Sequence, residues 1–129
     1  MATSSDITGV DFVPISVKDL HAASDFYGGT LGLHRSTFRP ESGFSEYETG
    51  NLTLGVVNGE QAGLGHRTAA YPIALHVDDV AKTRADLEAK GVEFAGDILD
   101  TGVCHMAFFH DPDGNPLMLH HRYAPRNPD

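Results

Sequence analysis

The sequence predicts an α+β domain made of two tandem βαβββ modules whose sheets enclose a cleft. Three observations predict it. The chain repeats itself at an offset of 60 residues, each copy opens on an alternating segment, and each such segment runs into an aspartate followed by a helical stripe. Repetition within 129 residues means two copies of one supersecondary unit sharing a single domain, because a chain of this length builds one core. The first module is placed at about residues 8–58 and the second at about 70–123, with 124–129 as a C-terminal tail.

In the first module, Val13, Ile15 and Val17 point one way and Phe12, Pro14 and Ser16 the other, so this segment reads as a strand with two unlike faces. Asp19 stands where an N-cap belongs, able to accept from the free amides of a first helical turn. Leu20, Ala23, Phe26 and Tyr27 then follow helical spacing until Gly28 and Gly29. Three extended segments come next, at 33–39, 44–49 and 51–57, the last two joined by the turn "ETGN". Glu46, Glu48, Phe38, Phe44 and Tyr47 lie on them, and the loop "RPESG" leaves their facing open.

The second module repeats the pattern. Ile73, Leu75 and Val77 oppose Pro72, Ala74 and His76, Asp79 caps, and Val80, Thr83 and Leu87 form the stripe that Gly91 ends. Extended segments follow at 92–98, 102–110 and 116–122. The turn between the last two, "DPDGN", holds Asp111, Asp113, Gly114 and Asn115. These residue types bond nearby amides or accept positive φ, and the spaced oxygens and closing Glu of a calcium loop are missing.

Nine basic against eighteen acidic residues give a formal charge of −9, a field that repels phosphate backbones and anionic lipid heads. Nucleic acid and membrane are therefore not expected as partners, and no apolar run is long enough to span a bilayer. The start "MATSSDITG" has neither a basic leader nor an apolar signal segment, and a lone cysteine, Cys104, cannot form an internal disulfide. A cytoplasmic location is the expectation.

Three stretches, "VKDLHAASDFYGGTLGL", "HVDDVAKTRADLEAKGVEF" and "FFHDPDGNPLMLHH", taken in that order, resemble the vicinal oxygen chelate superfamily of glyoxalases, bleomycin resistance proteins and dioxygenases. The resemblance covers nearly the whole chain, and "DTGVCHMAFFHDPDGN" is similar to the ending of many uncharacterised glyoxalase-like proteins. It implies the glyoxalase/bleomycin resistance fold. In the superfamily's enzymes it implies a divalent metal in the cleft, held by the first and last strands of each half. The corresponding positions here are Phe12, Pro72, Met118 and either Thr53 or Gly55. Phe and Pro offer no lone pair to a hard cation, and a thioether suits only soft metals. No cofactor is expected at those positions.

Alternation assigns the remaining cleft lining: Phe12, Pro14, Ser16, Thr53, Ala74, His76, Cys104, Met106, Phe108, Met118 and His120, with His105, His110 and His121 directed elsewhere. A mostly apolar wall with a few polar groups is the make-up of a small-molecule pocket, although aromatics and Met at strand spacing also serve as plain core. The first reading is a metal-free protein that binds a small apolar or aromatic molecule. The alternative is an enzyme, a glyoxalase-like lyase, isomerase or dioxygenase. It would use a displaced divalent metal at His76/His120, or those imidazoles as acid and base. Cys104 reads as a small apolar filler rather than a nucleophile. Sheet edges left open favour pairing with a second copy, so a homodimer is expected.

Overall fold

The alternating segments become strands whose two faces have opposite fates. The computed structural model describes residues 5–126, so Met1–Ser4 and the last three residues of the expected tail lie outside the described residues. The first module comprises β1 (Phe12–Val17), α1 (Leu20–Ser24), β2 (His34–Arg39), β3 (Phe44–Glu48) and β4 (Thr53–Asn58). The second comprises β5 (Ile73–His76), α2 (Val80–Ala89), β6 (Phe94–Asp100), β7 (Cys104–His110) and β8 (Pro116–Arg122). Each module is one four-stranded sheet, ordered β1-β4-β3-β2 and β5-β8-β7-β6, in which the first strand runs parallel to the last and the other pairs are antiparallel.

Both aspartates cap as their position requires. Asp19 Oδ1 accepts from the backbone N–H of His21 at 2.9 Å and Ala22 at 3.1 Å, and Asp79 Oδ1 accepts from Lys82 N–H at 3.0 Å. The first helix differs from the expected continuous one. After Ser24 it widens into a π-helical turn over Asp25–Thr30, closed by Leu31 N–H on the carbonyl of Phe26 at 2.8 Å. Within this wider turn Phe26 and Tyr27 are both buried in the core.

Val13, Ile15 and Val17 pair across β1–β4 with Leu54, Val56 and Asn58, while Phe12, Pro14 and Ser16 pair with Thr53, Gly55 and Val57. Residues opposed in a ladder share a face. The first set, apart from the terminal Asn58, lies under α1 and belongs to the core; the second lies on the opposite, open face. In the second sheet Ile73, Leu75, Leu117, Leu119, Ala107 and Phe109 take the core face, and Ala74, His76, Met118, His120, Met106 and Phe108 the open one.

The two helix-bearing sides pack on each other. Buried residues of both modules form one continuous cluster, joined by Phe26 against Phe109, ring centroids 6.4 Å apart. Tyr27 Oη donates to Asp111 Oδ2 at 2.7 Å, and Asn115 Nδ2 donates to the carbonyl of Ser16 at 2.8 Å. The turn "DPDGN" is thus also the polar clasp between modules. Asp111 Oδ1 accepts from the backbone of Asp113 and Asn115, and Oδ2 from Asn115 Nδ2, so the buried carboxylate is fully engaged.

Candidate ligand site

A half-open hollow does lie between the modules, but it is bounded mainly by core-side residues and not by the sheet faces expected to enclose a cleft. Leu31, Leu33, Leu52, Leu54, Ile73, Leu75, Leu87 and Leu119 bound a cavity of about 570 Å³ between the modules. Of the residues assigned to a cleft by alternation, only Ala74 and His76 reach its mouth. The others, apart from the buried Cys104, lie on the open faces, which the shared core turns away from each other.

On the first open face, the ladder places Phe12, Pro14, Ser16, Thr53, Gly55 and Val57 beside Phe44, Glu46 and Glu48 of β3. This fixes the facing of the two glutamates, which alternation left undecided. Glu48 accepts hydrogen bonds from the hydroxyls of Ser36 and Thr53, which hold its carboxyl below the usual carboxylate range. Ser16 Oγ meets His66 Nδ1 at 3.0 Å. His66 comes from the loop between modules, where no periodicity marks it. Gly59 makes the close approach of that loop possible: a Cβ there would sit 2.3 Å from the carbonyl oxygen of Gly65 and 2.6 Å from Ser16 Oγ.

The choice between Thr53 and Gly55 is settled by register. Ala74 pairs with Met118, and its counterpart one module earlier, Pro14, pairs with Gly55, so Gly55 is the equivalent of Met118. The ring of Phe12 lies over that glycine. A Cβ on Gly55 would stand 3.0 Å from Phe12 Cδ2, and Phe12 is still 53% exposed. Where a coordinating pair would stand, an aromatic ring lies across a bare backbone. These side chains do not fit a divalent metal.

The second open face is more apolar. Met106, Phe108 and Met118 are joined there by Leu99, which pairs with Met106 and was not anticipated because β6 is offset and bulged between Ala95 and Leu99. His76 and His120 are direct neighbours across β5–β8, but His76 Nε2 leans to Asp78 Oδ1 at 3.4 Å and its ring is 5.9 Å from that of His121. Among the described residues no group of three or more His, Cys, Asp or Glu side chains is placed to hold a metal ion. Cys104 is buried at the end of the β6–β7 hairpin, its Sγ 3.1 Å from Thr101 Oγ1, and forms no part of the exposed surface. His105 Nε2 lies 3.3 Å from Asp100 Oδ2 and its ring is tilted against that of Tyr123, while His121 Nδ1 meets the Val77 carbonyl at 3.1 Å.

A family model described as Glyoxalase/Bleomycin resistance protein/Dioxygenase superfamily matches residues 9–119. The chain belongs to this superfamily. No curated protein matches this superfamily member in sequence. Among solved structures it is similar to TnmS3, an antibiotic binding protein from Streptomyces sp. CB03234, with TM-score 0.79 and 25% identity over 92% of this chain and 98% of that one. A superfamily member from Sphaerobacter thermophilus DSM 20745 gives TM-score 0.75 and 24% identity, covering 88% of this chain and 97% of that one. One from Nocardioides gives 0.75 and 21%, covering 98% and 91%. The last two likenesses speak to the fold alone.

Proposed function

We propose that this superfamily member is a metal-independent binding protein for a small apolar or aromatic molecule, held against the open sheet faces in a homodimer. The observation that carries the reading is the Phe12 ring over Gly55, which replaces a coordinating pair with an aromatic platform. Geometry supports the homodimer. The superfamily's site draws on first and last strands of both halves, yet within one chain those faces look apart. A site containing both therefore needs the first sheet of one copy against the second sheet of another. Phe44, 37% exposed, and Leu99, 48% exposed, are apolar surface that such pairing would cover. The structural likeness to an antibiotic-binding protein supports the choice of ligand class.

The test is a thermal-shift screen of uncharged aromatic compounds, combined with light scattering and elemental analysis of purified protein. Any ligand that prefers the folded state raises the melting temperature. A dimer mass, and a compound whose stabilisation is lost in Phe12→Ala, are expected. Stoichiometric zinc, iron, nickel or manganese lost in a His76→Ala/His120→Ala double variant would replace this reading with the enzyme alternative.

A further inference from the structure

We infer that the cavity between the modules is a second ligand site, for an uncharged one- or two-ring aromatic or short aliphatic molecule, separate from the open faces. The internal repeat supplies the argument. Leu33 N–H bonds the carbonyl of Tyr27, and Val92 N–H bonds that of Leu87, so Tyr27 and Leu87 are equivalent positions of the two modules. The turn facing Tyr27 is Asp111–Asn115, and its counterpart beside Leu87 is Thr49–Leu52, each closed by a backbone bond across the turn.

On the Tyr27 side the space is filled. The phenol reaches across to Asp111, Asn115 ties the turn to β1, and Phe26 meets Phe109. On the Leu87 side a side chain without that reach faces Leu52, where Asn115 stands in the other copy. A half-open hollow of about 570 Å³ remains there between the two modules, within the size range of small-molecule pockets. A packed core leaves no such gap, and a water-filled hollow walled by leucines loses both dispersion contacts and hydrophobic burial.

The lining fixes the ligand's chemistry. No Asp, Glu, Lys or Arg borders the cavity, although the chain carries a formal charge of −9, so a charged guest would find no counter-charge. Thr49, Asn51, Thr83 and His76 are the polar groups at its border, enough to orient one hydroxyl or carbonyl.

The probe is N-phenyl-1-naphthylamine, an uncharged dye that brightens in apolar surroundings; the chain's lack of tryptophan keeps the background low. Saturable binding at one dye per chain is expected. Leu87→Phe, which grows a side chain into the gap, should weaken it by about tenfold or more without lowering the melting temperature, because filling a void differs from overpacking. Thr83→Phe, on the half-buried face of α2, is the second variant should Leu87→Phe misfold. Phe12→Ala should leave the dye's affinity unchanged. Dye binding lost in Phe12→Ala but kept in well-folded Leu87→Phe and Thr83→Phe would overturn the inference, as would no saturable binding in the unmodified protein.

Discussion

The hydroxyl of Tyr27 donates to the buried carboxylate of Asp111, 84 residues along the chain, and so locks the helix of one module to the last turn of the other. Burial first, and the Asp111 charge second, push the Tyr27 phenol far above its ordinary range. Tyr27→Phe leaves Asp111 one donor short in a site away from water. We predict a loss of about 1–3 kcal/mol in denaturant unfolding at neutral pH.

The same pair gives a pH signature. The folded-state pKa of Tyr27 lies above its unfolded value of 10.0, so its contribution is fully present below pH 10 and is lost as pH rises past it. There the unfolded chain releases a proton that the folded chain retains, which costs about 1.4 kcal/mol per pH unit. Melting temperatures followed from pH 9 to 11 should fall more steeply in the parent than in Tyr27→Phe. Parallel curves would refute this account.

Tyr47 makes the opposite case. Its side chain is 0% exposed, and its hydroxyl has no hydrogen-bond partner among the described residues. Removing an unsatisfied buried hydroxyl relieves a desolvation cost of about 1 kcal/mol or more. Tyr47→Phe is therefore expected to keep or raise the melting temperature, in contrast to the same change at Tyr27.

Two glycines separate stability from binding. Gly59→Ala would drive a Cβ against the backbone oxygen of Gly65, which cannot swing aside, and should cost about 1–3 kcal/mol. Gly55→Ala meets only the edge of the Phe12 ring, a side chain free to rotate on an open face. It should leave unfolding energetics nearly unchanged while altering affinity for any ligand that stacks on Phe12. Equal stability losses in both variants would count against that distinction.

The helix caps offer a control for these measurements. Asp79→Ala removes the acceptor for Lys82 N–H and should destabilise by about 1 kcal/mol without touching either candidate site.

Much of this molecule is local chemistry and was legible as such. Period-two alternation, capping aspartates, helical stripes and turn residues depend on neighbours a few positions away. They gave two βαβββ modules, and β8 at its observed bounds. The same alternation separated Phe12, Ser16, Thr53, Met106, Phe108, Met118 and His120 from the core residues. Where the regular period is interrupted, local spacing gives no warning: the π-helical turn after Ser24 and the bulge that carries Leu99. Cys104 keeps its strand register yet is buried at the hairpin end, as a small apolar filler would be.

By itself the sequence determined the paired modules and which side chains share each sheet face, because strand geometry ties facing to residue number. Only the tertiary structure decided how the modules meet. Joining them through their helix sides depends on contacts such as Phe26 with Phe109 and Tyr27 with Asp111, between residues more than eighty positions apart. No local periodicity encodes that choice, and it is what turned the alternating residues outward and left a half-open, leucine-walled hollow between the modules.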